Sequence, residues 1–277
     1  MNGLRLLPTL AISLLTLMTS FAELLPHPDR GFISSRPAKN WEEGLITGNG
    51  TLGMLAFSHP TEERIIFTRE DLFMPMGEPV VPPDQSMHLP EIRKLIAEAK
   101  YKDAERLQAK HSGQDGFMYP DYFVPAFDLL ITQPGGQAKA YARSVDFMSS
   151  EARIKWTNDA GTLERAMFCS RPDQVAVVRL KAEKAGTLDT TLKLVKRKTS
   201  EEFNKDTDIA KKSSDSFDEH FGDFKSSSTA DSLSYSMRCL KAYEGSITAV
   251  NGHARVITKG GKASAKRRGR DGPMKDS

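Results

Sequence analysis

The chain of 277 residues has little cysteine and no long apolar run in its interior. Its two cysteines, Cys169 and Cys239, are too few for a disulfide framework. They either form one bridge or remain buried thiols, and the sequence leaves both possibilities open. No internal stretch reaches the roughly 18 apolar residues that a membrane-spanning helix needs, so no span is expected in the body of the chain.

Motifs for metals, phosphates and activated nucleophiles are also absent from the sequence. Its six histidines form no His-x-x-x-His pair and its cysteines no Cys-x-x-Cys, so no metal or other cofactor is predicted. There is no phosphate-binding loop and no Gly-x-Ser-x-Gly elbow. The doublets Glu42-Glu43 and Glu70-Asp71 make no acid–base pair, because neighbouring residues on a strand point to opposite faces. Spacing alone therefore defines no catalytic residue.

The net charge of +3 is concentrated at the two ends of the chain. Residues 259–277 hold seven Lys or Arg and two Asp, and Arg5 adds one more positive charge, which leaves the remaining residues at −3. Such a mildly acidic body does not favour nucleic acid as a partner. Residues 261–277 show no periodicity and are interpreted as a basic, disordered tail.

The first 22 residues have the features of a secretory signal peptide. Arg5 gives a thin positive region, Leu6 to Met18 is mostly apolar, and Ser20-Phe21-Ala22 fits a cleavage site. We therefore expect cleavage near Ala22 and a secreted or periplasmic protein with no remaining membrane association. An uncleaved membrane anchor is the alternative, and the short apolar core disfavours it.

Short β-type runs separated by turns predict a mainly β fold with antiparallel sheets. Pro37 to Phe73 predicts a hairpin with a tight turn at Gly48-Asn49-Gly50 and a second run at Ile65 to Phe67. Strands are predicted near Phe127 to Ile131 and, with regular turns, from Tyr141 to Leu180. This spacing of short strands is typical of an antiparallel sandwich.

Two segments interrupt the β pattern. His88 to His111 has Pro90 in its first turn and one apolar stripe, which predicts a helical insert that packs through that stripe. Arg197 to Ser232 is almost all charged or Ser/Thr and is interpreted as a long surface loop or disordered insert. Strand-like sequence returns from Leu233 to Lys259, with turns expected at 243–246 and 251–253. One domain is thus expected from residue 23 to residue 260.

A series of motifs between Pro37 and Leu180 carries a further signal. In chain order these are Trp41-Glu42-Glu43-Gly44-Leu45, Gly48-Asn49-Gly50, Leu52-Gly53, Glu63-Arg64-Ile65, Glu70-Asp71-Leu72, Leu89 to Leu95, Asp128-Leu129-Leu130, Tyr141 to Arg143, Arg165 and Ser170 to Val175. The series resembles the opening of the α-L-fucosidases of glycoside hydrolase family 95. Phe73 stands where that family has tryptophan.

The resemblance implies an exported antiparallel β-super-sandwich, the N-terminal domain of a glycoside hydrolase. In that family an (α/α)6 barrel follows and holds the catalytic groups, so none of them maps onto this chain and the chain alone is expected to be inactive. The implied partners are an oligosaccharide or glycan and that barrel. A free-standing carbohydrate-binding sandwich and a non-functional truncated fragment are the alternatives.

Three residues are predicted to face the sugar cleft. They are Trp41, Asn49 and Tyr122. Each has a structural alternative: a core anchor for Trp41, a turn residue for Asn49, and the packed base of a loop for Tyr122. Tyr119, Tyr122 and Phe123 form either that packed base or, together, a sugar-stacking platform.

Overall fold

The computed structural model describes residues 24–78, 83–113, 121–197 and 217–265. Within them the chain is mainly β, with antiparallel pairing throughout, which confirms the predicted fold class. The predicted signal peptide, Tyr119 and most of the basic tail lie outside the described residues. No helix in the described part is long and apolar enough to cross a membrane.

Two five-stranded sheets form the sandwich. Sheet I has the spatial order β1 (Gly31–Ser34), β8 (Ala140–Asp146), β9 (Glu151–Asn158), β10 (Gly161–Ser170) and β11 (Val175–Ala182). Sheet II has the order β12 (Thr191–Val195), β7 (Phe127–Thr132), β4 (Glu62–Arg69), β3 (Leu52–Ala56) and β2 (Leu45–Gly48). Strands β2 and β3 lie against β8 to β11, so the two sheets pack face to face.

Strict alternation of apolar and polar residues builds the core between these sheets. On β9, Ala152, Ile154 and Trp156 are almost completely buried while their neighbours are half-exposed. Ile65 on β4 and Ile131 on β7 are equally buried on the facing sheet. This core contains Cys169, and Cys239 also lies in the continuous apolar cluster. Both thiols are free, and burial raises the pKa of each.

A third sheet packs against sheet II at β7 and β12, on the face that carries Ile65 and Ile131. Sheet III consists of β13 (Phe221–Ser228), β14 (Ser232–Cys239) and β15 (Ala249–Arg255) in that order. The ring of Tyr235 lies 5.3 Å from that of Phe127 on β7. A Cβ atom on Gly252 would come within 2.4 Å of the same phenylalanine ring. Gly252 is thus required for this close approach of two sheets.

Sheet III corrects two predictions. The surface loop expected from Arg197 to Ser232 is wrong over β13, because Phe217 and Phe221 are buried core residues that anchor the polar segment. Residues 198–216 lie outside the described part. The turn expected at 251–253 is also wrong, since these residues form the middle of β15, whereas Ser246 N–H does donate to Tyr243 O in a turn.

The predicted helical insert is a pair of helices. They are α1 (Leu89–Ala97), with Pro90 in its first turn, and α2 (Tyr101–Lys110). The helices pack against each other, but Leu89 and Ile96 are 41% and 49% exposed. Only Ala104 is buried among the residues of the two helices. The apolar stripe is therefore a packing face only in part, since each helix covers a narrow strip of its neighbour.

Candidate functional site

The three predicted sugar-facing residues do not lie together. Asn49 sits in the β2–β3 turn, and Trp41 belongs to a 3₁₀ turn, Trp41–Glu43, which precedes the opposite end of β2. Tyr122 is on β6 (Tyr122–Phe123), which pairs with β5 (Phe73–Met74) as a small sheet IV. Glu70 N–H donates to Thr51 O, so the chain enters β5 beside the Asn49 turn. Asn49 and sheet IV thus share one end of sheet II, and Trp41 marks the other.

The side chain of Asn49 is fully engaged within the protein. Its carbonyl oxygen accepts the backbone N–H groups of Thr51 and Leu52, at 3.0 and 2.7 Å. Its amide nitrogen donates to Ser170 O on sheet I, at 2.8 Å. The residue is 9% exposed, and Gly50 in the same turn has φ +101°. Asn49 therefore shapes the turn and joins the two sheets, and its predicted role toward sugar stays a prediction.

Trp41 is partly exposed at the start of the sandwich. The residue is 38% exposed in a 3₁₀ turn whose Glu43 N–H donates to the Asn40 carboxamide oxygen at 3.2 Å. Arg143 donates to Glu43 O at 2.8 Å and ties this turn to sheet I. Trp41 is thus neither a buried core anchor nor fully exposed, and the prediction that it faces a ligand stays a prediction.

Sheet IV presents exposed aromatic residues around Tyr122. Phe73, Tyr122 and Phe123 are 42%, 53% and 52% exposed, and we call these three residues the aromatic rim. Phe73 and Phe123 are cross-strand partners whose rings meet edge to face at 5.4 Å. Tyr122 projects on the other side of the strand. Phe73 and Phe123 therefore form one exposed aromatic pair on one face of sheet IV, and Tyr122 is a separate exposed ring on the opposite face.

A carboxylate stands at the base of the rim. Asp121 accepts the backbone N–H of Met76 at 3.2 Å and the hydroxyl of Tyr243 at 3.5 Å. Desolvation and the neighbouring Asp121 raise the pKa of Tyr243, which keeps its hydroxyl protonated as the donor. An ionised carboxylate has about four acceptor sites. Asp121 therefore keeps capacity to accept hydroxyl groups of a ligand whose apolar face lies on the rim.

Two further carboxylates are enclosed in ion pairs. Glu63 and Arg165 are both completely buried, with 2.5 Å between the carboxylate and guanidinium. Burial raises the pKa of Glu63, and Arg165 opposes that shift. Asp128, equally buried, meets Arg64 and Arg197 at 3.3 and 3.2 Å. Since none of these carboxylates is exposed, they hold sheets and loops in place and do not reach a substrate.

The hydroxyl of Tyr141 supports the same region. It donates to Ser58 O at 2.7 Å, and Arg165 donates to His59 O at 3.1 Å in the loop between β3 and β4. Ser58 has φ +69° and is completely buried. Burial raises the pKa of Tyr141, so the phenol remains a donor across the physiological pH range. The charged residues at the centre of the sandwich therefore fix its loops.

Sequence reasoning identifies Tyr122 and Phe123 as candidate sugar-stacking residues but misses Phe73 and all of the buried pairs. Phe73 was noted only as a departure from a family pattern, and Asp121 and Tyr243 carried no signal, since they are 122 residues apart. The available signal was the aromatic density around Asp121. No group of three or more His, Cys, Asp or Glu residues able to hold a metal ion occurs in the described ranges.

Comparison with known proteins identifies the class of domain. The family model described as "Glycosyl hydrolase family 65, N-terminal domain" matches residues 32–266, most of the chain. A protein from Arabidopsis thaliana named "Alpha-L-fucosidase 2" is 26% identical over 156 residues, which is 55% of this chain and 18% of that relative. The chain thus spans less than a fifth of that relative in the alignment. The comparisons therefore show that the chain contains an N-terminal domain of the glycosidase type.

Proposed function

Because the chain belongs to the glycosyl hydrolase family 65 N-terminal domain family, we propose that it is the β-sandwich domain of an α-L-fucosidase-type glycoside hydrolase, of the family 95 kind. The aromatic rim borders the glycan cleft of the intact enzyme, and the catalytic groups come from an (α/α)6 barrel. The observation that carries the proposal is the exposure of three aromatic residues beside a carboxylate, at one end of this sandwich.

Sugar chemistry explains why the rim suits this role. A pyranose has an apolar C–H face that lies flat on an aromatic ring, and hydroxyls at its edge that donate to a carboxylate. Hydrolysis itself needs two polar groups on opposite sides of the glycosidic bond. In the proposed arrangement the sandwich supplies contacts on one flank of the sugar and the barrel supplies that pair. Export follows the signal peptide proposed for residues 1–22, and the secreted protein should begin at Glu23.

The first experiment separates hydrolysis from binding. The purified chain is incubated with 4-nitrophenyl α-L-fucoside, and fucosylated oligosaccharides are titrated into it in parallel. We expect no turnover and weak binding, because only one flank of the cleft is present. Turnover by the chain alone would refute the proposal that the catalytic groups come from the barrel. Tight binding without turnover would favour a free-standing carbohydrate-binding module, the second candidate that the exposed rim supports.

Rim variants test the location of the contact. Tyr122→Ala and Phe123→Ala should each weaken fucosyl-oligosaccharide binding by about 5- to 100-fold, equivalent to about 1–3 kcal/mol for a buried aromatic contact. Ile46→Ala is the matched control, since Ile46 is 67% exposed on a different surface. Equal effects of all three substitutions, or none from the rim pair, would place the sugar elsewhere.

A further inference from the structure

Sheet III carries a hollow of about 550 Å³ on the face turned away from the core. Its lining includes Lys225, Ser227, Ser234, Ser236, Asn251 and His253. The volume lies within the range of about 300–1,000 Å³ that is usual for small-molecule sites. The aromatic rim contributes no residue to it.

The register of the three strands explains the shape of the hollow. Ser227, Ser234 and His253 form one cross-strand row, and Lys225, Ser236 and Asn251 form the next. The central strand β14 thus contributes only small serine side chains, whereas its neighbours contribute longer ones. Because side chains on one face of a sheet stand side by side, this order makes a low floor between higher walls. We call this hollow the serine trough.

The chemistry of the serine trough selects a hydroxylated ligand. Serine hydroxyls and the Asn251 amide both donate and accept, as sugar hydroxyls do. Ser234 Oγ and His253 Nδ1 lie 3.0 Å apart, so the floor already holds an ordered polar pair. Tyr235, which also borders the trough, is 3% exposed and has its ring packed on Phe127. The lining therefore offers hydrogen bonds and no exposed phenyl, phenol or indole ring.

The charge of the serine trough adds a second requirement. Lys225 lines it, and no carboxylate is among the lining residues. Asp223 pairs with Arg238 at 2.8 Å, and Asp231, which accepts the Thr229 hydroxyl at 2.7 Å, acts electrostatically on Arg255 and His253 and not on Lys225. A ligand in the trough thus meets an unopposed ammonium group, which favours an anion.

We propose that the serine trough binds an acidic saccharide, a sugar that carries a carboxylate or sulfate group. Its hydroxyls exchange hydrogen bonds with Ser234, Ser236 and Asn251, and its anionic group pairs with the Lys225 ammonium. This is a second sugar site, separate from the aromatic rim, and it adds a charged specificity that the proposed fucosidase-type role does not contain. It would hold the domain on acidic glycans while the rim serves a neutral sugar.

The test is calorimetric titration of the chain with trigalacturonate, a trisaccharide of glucuronate and a sulfated disaccharide. Neutral trisaccharides of the same linkage are titrated in parallel. We expect at least one acidic probe to bind at least tenfold more tightly than its neutral analogue, with affinity falling as salt rises. Lys225→Gln should remove that preference. Lys241→Gln removes the same charge at an exposed pair with Glu219 and should not change it.

A second variant keeps the charge and fills the trough. Ser236→Phe places a large ring on the floor and should abolish binding of every probe, with folding verified by circular dichroism. Lys225→Gln, at an exposed position, provides the test if Ser236→Phe does not fold. Failure of all acidic probes, equal binding of neutral analogues, or equal loss in both lysine variants would overturn the proposal. Tyr122→Ala should leave acidic binding intact, so failure at the rim and failure at the trough are distinguishable.

Discussion

At the scale of single residues, the recurring sequence motifs are structural ties between sheets. Asn49 joins the β2–β3 turn to Ser170 O, Arg143 reaches Glu43 O, and Glu63 meets Arg165. Each tie crosses between segments that are 100 to 121 residues apart. A single substitution here removes a contact that no neighbouring residue can replace.

The buried pair gives the largest expected effect. Glu63→Gln leaves the Arg165 guanidinium buried and without its counter-charge, which should lower the free energy of unfolding by about 3–5 kcal/mol. Urea denaturation followed by tryptophan fluorescence measures this, because Arg165 lies 5.3 Å from the Trp156 ring. Asp71→Asn, in the exposed pair with Arg69, is the control and should cost less than about 0.5 kcal/mol. Similar losses in both variants would contradict the argument.

The turn residue Asn49 gives a graded prediction. Asn49→Ala leaves two backbone donors and Ser170 O without their partner and should cost about 2–3 kcal/mol. Asn49→Asp keeps the acceptor for both donors but loses the bond to Ser170 and turns a carboxylate oxygen toward that carbonyl, and we expect the two retained turn bonds to keep its loss smaller than that of Asn49→Ala. Thermal unfolding of the two variants tests this order. An equal loss in both would mean that the inter-sheet bond alone matters.

At the scale of elements, stability is unevenly distributed. Strands β9 and β10 are paired on both sides and bury Trp156, Ile154 and Met167. Helices α1 and α2 bury one side chain between them. Elements with few buried apolar contacts open at low free energy, so the helical pair should be the weaker unit.

Hydrogen exchange measures this difference directly. Backbone amides of Leu89–Ala97 and Tyr101–Lys110 should exchange at least about a hundredfold faster than those of Glu151–Asn158, which corresponds to about 3 kcal/mol of opening free energy. The matched internal reference is the edge strand β11, whose amides that pair with β10 should fall between the two. Protection of the helices equal to that of β9 would contradict the prediction.

At the scale of the whole molecule, sheet III joins the sandwich through several buried residues and one especially close contact. Gly252 lies where the Phe127 ring leaves no space for a side chain. Gly252→Ala should therefore cost about 1–3 kcal/mol, because the sheets must move apart. Phe127→Leu shortens the opposing side chain, so the double variant should recover part of the loss, and a double-mutant cycle gives the coupling. Additive losses would show that the contact does not limit sheet docking.

The sequence predicted those parts of the fold whose signal is local. Alternation on β9 and the Pro90 helix start are patterns within a few residues, and both were confirmed. β13 is not predicted because its composition is polar. Phe217 and Phe221 anchor it, but only the packing of the whole core shows that they are buried. Residues 251–253 form a strand although their sequence predicts a turn, because Asn-Gly is the strongest short-range hairpin signal.

The candidate site was less accessible to sequence reasoning than the fold. Tyr122 is predicted as a sugar-facing residue and follows Asp121 directly in the chain, but Phe73 belongs to a separate segment that meets them only through β5–β6 pairing. The rows of the serine trough need the register of three strands, which depends on where the turns fall. Side-chain constellations across strands are therefore a product of tertiary structure.

The distance along the chain between Glu63 and Arg165 has a consequence for synthesis. The two residues are 102 positions apart, so the ribosome adds Glu63 to the chain well before Arg165. At a synthesis rate of about 5–20 residues per second, Arg165 is added on the order of 5–20 s after Glu63. If the nascent β2–β4 segment buried its inward face during that interval, the Glu63 carboxylate would be buried without its counter-charge. The β2–β4 segment should consequently stay unfolded, and depend on chaperones for protection, until β10 has been synthesised.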